Sequence, residues 1–150
     1  MKALLQRVSE ARVIEAGTAE VLGAIDHGLV VLVCAEPDDG AEEVAFFARK
    51  IVNMRLFEDD NGKMNRSVLD VGGSILVVSQ FTLAADWSKG NRPGFSGAAA
   101  PELGEKLYDD LVTSIRVLDV PVETGQFRSH MKIELANDGP VSIWMDSADR

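Results

Sequence analysis

Four apolar-rich segments open the chain, 2–8, 11–16, 19–25 and 28–34, broken at Gly17, Asp26 and Gly28. That spacing predicts short strands joined as a meander of hairpins. The period then changes. Within residues 40–53, Val44, Phe47, Ala48 and Ile51 fall on one helical face, with Asp38 or Asp39 positioned to cap the first turn. Ile75 to Val78 is an unbroken apolar run within 74–80, entered from Gly73, as in a strand buried on both faces. Pro101 suits the first turn of a second helix reaching to Val117 or so, with Leu103, Leu107, Leu111 and Ile115 four apart. Residues 131–136 and 141–146 alternate as two last strands. Mixed α and β with a mostly antiparallel sheet follows.

Composition narrows this. With 150 residues, 46% hydrophobic and 26% charged, the chain is expected to form one soluble globular domain over 1–150. No apolar run reaches the ~20 residues that span a bilayer, and Lys2 and Arg7 come too early for a signal peptide. The only cysteine, Cys34, sits in an apolar run and reads as a small core residue, so no intrachain disulfide can form. A cytoplasmic protein without a membrane partner is expected. No Cys/His cluster suggests a metal and no Gly-rich phosphate loop suggests a nucleotide, so neither metal nor cofactor is expected. The net charge of −9 argues against non-specific hold on a nucleic-acid backbone. The acids, however, concentrate at Glu36 to Glu43, Glu58 to Asp60 and Asp109-Asp110, while Lys89, Arg92, Arg128, His130 and Lys132 lie elsewhere.

Several motifs carry candidate chemistry. Asn137-Asp138-Gly139-Pro140-Val141-Ser142 separates the last two strands. Gly139 lets backbone approach a ligand closely, and Pro140 fixes φ and makes a cis bond accessible; the same dipeptide also serves as a plain turn. Ser79-Gln80-Phe81-Thr82-Leu83 follows the buried strand, and Lys89-Gly90-Asn91-Arg92-Pro93-Gly94-Phe95 comes soon after. Leu5-Gln6-Arg7-Val8, Gly62-Lys63-Met64-Asn65 and Gly72-Gly73-Ser74-Ile75-Leu76-Val77-Val78 lie upstream; Gly125, Phe127 and Met131 precede the Gly-Pro segment. These blocks, in this order over roughly residues 2–145, resemble the D-aminoacyl-tRNA deacylase (D-tyrosyl-tRNA(Tyr) deacylase) family.

The resemblance implies an α+β fold: a mostly antiparallel β-barrel-like sheet layer backed by two helices. It implies hydrolysis of the ester of D-aminoacyl-tRNA, and of glycyl-tRNA, with L-amino acids turned away by backbone carbonyls of Gly139 and Pro140. It further implies a homodimer in which a cis Gly-Pro loop enters the partner's site. Ser79, Gln80, Phe81 and Thr82 would form the catalytic segment, with Gln80 and Phe81 stabilising the oxyanion through backbone groups. Arg7 would brace the Gly-Pro loop and Asn137 belong to it; without the resemblance Arg7 reads as readily as a surface cation. Phe127 and Met131 would line the amino-acid site or pack the core, and Lys89 and Arg92 would meet tRNA phosphates or lie in solvent.

Thr82 is the tempting nucleophile, but a threonine hydroxyl needs a base. The histidines are His27, in an Asp-His-Gly turn, and His130. The alternative leaves proton transfer to the terminal ribose's own hydroxyl, with the protein supplying position and electrostatics. Two departures from the family pattern stand out: Ser142 in place of threonine, and Arg128-Ser129-His130 where small residues are usual.

Overall fold

The sheet is organised around its first strand. The computed structural model describes all residues 1–150, and in it β1 (Lys2–Glu15) is a single strand where two were expected, at 2–8 and 11–16. One edge of β1 is shared. Residues 2–8 pair antiparallel with β3 (Gly28–Cys34), and residues 11–14 pair antiparallel with β2 (Val21–Ile25). Exposed Ser9 and Glu10 interrupt the apolar alternation where the partner changes, which is why the sequence suggests a break there. The strand continues because its other edge is held throughout.

After α1 (Ala41–Asn53), β4 (Phe57–Glu58) and β5 (Met64–Arg66) form a small hairpin of their own. The buried strand β6 (Ser74–Ser79) runs parallel to β3, and β7 (Val122–Thr124), beyond α2 (Pro101–Val117), runs parallel to β6. β2 then comes back against β7: a Cβ on Gly23 would lie 2.6 Å from the Thr124 carbonyl oxygen, so only glycine allows this approach. The sheet is thereby nearly closed into a barrel. Three of its five pairings are antiparallel and two parallel.

Alternation along the strands makes two cores. Ala3, Leu5, Leu29, Val31, Ile75 and Val77 face the helices and meet Phe47 and Ile51 of α1 and Leu111 and Ile115 of α2. Val8, Val13, Val30, Leu76 and Val78 pack on the other face, so β6 is buried on both sides as its sequence predicts. Complete burial of a side chain such as Leu111 contributes about 1.5–3 kcal/mol. α2 starts at Pro101 as expected; α1 is capped by Gly40, not by Asp38 or Asp39. Glu43 accepts the Gly40 N–H at 2.9 Å, while Asp39 is drawn away to the Glu36 N–H and the N-terminal ammonium, each at 2.6 Å. No helix is long and apolar enough to cross a membrane.

The expected last two strands are also one. β8 (Met131–Asp146) lies antiparallel along β1 from Glu15 to Lys2. Its register jumps from Val8↔Asn137 to Gln6↔Ser142, so Arg7 alone stands opposite residues 138–141. The Gly-Pro segment is a bulge within a strand, not a turn between two.

Candidate active site

A cavity of about 650 Å³ opens where β3 and β6 end, between the first turns of α2 and the segment 127–131. Ser79, Gln80, Phe81, Phe127 and Met131 line it, so five of the expected residues come together. Cys34, Phe95, Gly104 and Tyr108 line it too. Cys34 was read from sequence as a small core residue and Phe95 as part of the Lys89–Phe95 block; Gly104 and Tyr108 carried no signal beyond lying beside Leu103 and Leu107 on α2. Thr82, Lys89 and Arg92 are exposed and outside the lining. Arg7, Asn137, Gly139 and Pro140 form a second assembly, also outside it.

Beyond β6 the chain makes one 3-10 turn, Phe81–Ala84. The Gln80 N–H donates to the Val33 carbonyl at 2.8 Å and is therefore taken up by the sheet. The first bond of the turn runs from the Leu83 N–H to the Gln80 carbonyl at 3.1 Å, which leaves the Phe81 and Thr82 amides ahead of it without a partner in the turn. Backbone donors at the strand end are thus those of Phe81 and Thr82, one residue later than expected. The Gln80 side-chain amide donates to the Thr82 hydroxyl.

No hydroxyl is hydrogen-bonded to a histidine. His27 is exposed, its Nε2 3.1 Å from the Val71 carbonyl oxygen. His130 lines the cavity, and its carbonyl accepts the Ala16 N–H at 2.9 Å. Burial, with a smaller push from Glu36, raises the Cys34 thiol to about 11. Burial and then Asp109 raise the Tyr108 phenol to about 12, and its hydroxyl donates to the Val77 carbonyl at 2.9 Å. At neutral pH both stay protonated, so neither supplies an anion for attack or proton removal. No three His, Cys, Asp or Glu side chains gather into a donor set for a metal ion.

The cavity rim carries the Arg128-Ser129-His130 departure, and all three residues line it. The Ser129 N–H reaches back to the Gln126 carbonyl at 3.2 Å, and Arg128 adopts a left-handed backbone with φ 64°. Arg128 and His130 thus stand at the mouth of a mostly apolar cavity.

The Gly-Pro bulge is built from its neck outward. Asn137 Oδ1 accepts the Val141 N–H at 2.8 Å, and its Nδ2 donates to Ser142 Oγ at 3.1 Å. Ser142 Oγ is also 3.2 Å from Gln6 Nε2, so the serine keeps the contacts its hydroxyl can make. Arg7 is only 8% exposed and is not a surface cation. Its Nε donates to the Asp138 carbonyl at 2.8 Å and its Nη1 to the Leu56 carbonyl at 2.6 Å, tying the bulge to the segment after α1. Gly139, at φ 145°, and Pro140 are exposed, joined by a cis peptide bond, and unpaired in the β1–β8 ladder. Their carbonyls accept no side-chain or loop hydrogen bond. The two assemblies are separate: an apolar cavity at the strand end, and a braced backbone loop outside its lining.

Known proteins resemble the whole arrangement. The family model for D-Tyr-tRNA(Tyr) deacylase matches residues 4–146. A Paracoccus denitrificans (strain Pd 1222) protein named D-aminoacyl-tRNA deacylase is 56% identical, covering 100% of this chain and 99% of its own. A Polaromonas naphthalenivorans (strain CJ2) protein of the same name is 55% identical over 95% of both chains. Among solved structures, the c-Myc DNA unwinding element binding protein superposes with a TM-score of 0.91 at 38% identity, covering 98% of this chain and 99% of that one. A probable eukaryotic D-amino acid tRNA deacylase superposes at 0.82 over 96% and 97% of the two chains; at 18% identity that likeness speaks for the fold.

Proposed function

This chain belongs to the D-Tyr-tRNA(Tyr) deacylase family, and we propose that it works as a homodimeric chiral proofreader at the aminoacylated 3′ end of tRNA. It is a D-aminoacyl-tRNA deacylase, a hydrolase of carboxylic esters. Residues 1–150 act as one cytoplasmic domain that needs neither metal nor cofactor.

The observation that carries the finer reading is the braced bulge. The exposed main chain at Gly139 and Pro140 stands outside the chain's own cavity and is unpaired in the β1–β8 ladder, which suits insertion into the cavity of a second copy. There they would stand where the side chain of an L-amino acid has to go. An L ester is then excluded by collision, whereas a D ester and an achiral glycyl ester enter. A filter made of backbone is indifferent to the kind of D side chain.

Water attacks the ester carbon, and the Phe81 amide, at the cavity end of the turn, donates to the oxygen that gains charge. The carbon–oxygen bond to the ribose 3′ position breaks. The proton lost by water passes through the vicinal 2′-hydroxyl to the departing 3′ oxygen, so no side-chain base is consumed. Protonated Cys34 and Tyr108 and the absence of a hydroxyl–histidine pair favour this route over a threonine nucleophile. Gln80 and Ser79 hold the strand end, Phe127 and Met131 line the pocket, and Lys89 and Arg92 meet phosphates.

Hydrolysis of D-tyrosyl-, L-tyrosyl- and glycyl-tRNA by wild type and Thr82→Ala tests the proposal. The D and glycyl esters are cleaved, the L ester is spared, and Thr82→Ala keeps its rate within about tenfold. A terminal 2′-deoxyadenosine slows cleavage about a hundredfold or more. Cleavage of the L ester would refute the filter; loss of turnover in Thr82→Ala would return the chemistry to that hydroxyl.

A further inference from the structure

Trp87 is 80% exposed, more than any other large apolar side chain in the molecule. A tryptophan left in water contributes nothing to the core and keeps its ring face open to a partner. It stands on a loop whose base is fastened twice: the Asp86 and Gly94 amides each donate to the other's carbonyl at 2.8 Å. The loop carries two further exposed functional groups, Lys89 and Arg92, and neither forms an ion pair. Its one acid, Asp86, is exposed at the loop's base and accepts the Ser88 N–H at 2.9 Å. In a chain of net charge −9, a pinned loop with a bare indole and two unpaired cations is a local exception.

The loop is bracketed by cavity residues. Phe81 precedes it and Phe95 follows it; both line the cavity, and their rings meet edge to face at 5.2 Å between centroids. The Asp86↔Gly94 pairing limits the separation of the Trp87 and Phe95 Cα atoms to about 13 Å, the reach of a nucleotide or two. We propose that Trp87 is a base-stacking residue for the single-stranded 3′ end of tRNA: its indole receives a base just upstream of the nucleotide held in the cavity, while Lys89 and Arg92 take the adjoining phosphates. Stacking on an exposed aromatic beside cations holds single strands without reading their sequence, because every base has a π face. This suits an enzyme that must accept many tRNAs, and it rests on the deacylase reading of the site.

Two measurements test it. Trp87→Ala raises KM for D-tyrosyl-tRNA about tenfold with kcat moving less than twofold, and Trp87→Phe recovers most of the loss. Separately, intact uncharged tRNA quenches the tryptophan fluorescence of the wild type; tRNA trimmed of its single-stranded 3′ end does not, and Trp87→Phe abolishes the quenching. An unchanged KM in Trp87→Ala, quenching by the trimmed tRNA equal to that by the intact one, or full quenching in Trp87→Phe, where Trp144 is the remaining indole, each overturns the proposal. If the wild type cleaves no D-aminoacyl-tRNA, the deacylase reading fails, and the fluorescence titration still decides whether Trp87 meets the strand end.

Discussion

Arg7 Nη2 stands 3.2 Å from the point where a Cβ on Gly139 would lie. The same Cβ would be 2.7 Å from Val141 Cγ2 and 2.9 Å from the Val141 nitrogen, at a φ of 145° that L side chains rarely adopt. A guanidinium at the end of a flexible side chain can yield; backbone held by Asn137 cannot. Gly139→Ala therefore has to move the bulge. We expect kcat/KM on D-aminoacyl-tRNA to fall at least a hundredfold, with a stability loss of about 1–3 kcal/mol by urea denaturation.

Arg7 serves two carbonyls on different segments from two separate nitrogens of one planar guanidinium, a fork that a lysine ammonium does not reproduce. Arg7→Lys should lose one of the two bonds and cost about 1.5–3 kcal/mol. Because the lost bond loosens the bulge, kcat/KM on the D ester should drop more than tenfold, and thermal melts with steady-state kinetics read both effects.

Arg128 holds φ at 64° on the cavity rim, where a residue with a Cβ bears about 1–2 kcal/mol of strain. Arg128→Gly removes that strain and gains chain freedom in the unfolded state worth about 0.5–1 kcal/mol. The difference favours the variant: it should be more stable than the wild type by up to about 1 kcal/mol, measured from the urea midpoint.

Cys34 and Tyr108 are both raised above their ordinary values, so folding favours their protonated forms. Their contribution is fully present below about pH 9. It declines between 9 and about 11 for Cys34, and between 10 and about 12 for Tyr108. Urea midpoints recorded from pH 8 to 11 should fall at the alkaline end, and Cys34→Ala should flatten the first part of the decline. The native thiol should also resist iodoacetamide at neutral pH.

Much of this was legible in the chain. The period of Leu103, Leu107, Leu111 and Ile115 after Pro101 located α2, and the Ile75–Val78 run located a strand with no wet face. The Ser79–Phe81 and Phe127–Met131 blocks proved to share one cavity. The errors have a common cause in what lies across the sheet. A strand interrupted by Ser9-Glu10, or by Asp138-Gly139-Pro140, looks like two strands when read along the chain; its continuity is supplied by a partner more than a hundred residues away. The Gln80 amide likewise looks free at a strand end until Val33 is seen to accept it. Gly40 capped α1 in place of Asp38 or Asp39 because Asp39 had a distant ammonium to answer. Trp87 gave no periodic or motif signal, since an exposed loop residue belongs to neither.

The long ladder between β1 and β8 also sets an order of events. Residues 2–15 find their second edge only in residues 131–146, a closure across nearly the whole chain. Contacts this remote slow folding, because the loop entropy is lost before the contacts reward it. On the ribosome, β1 waits with one bare edge until residues 131–146 emerge, and the bulge that would confer chirality is formed in that same closing step. A selectivity resting on that bulge would thus wait until residues 131–146 have been synthesised and have closed on β1.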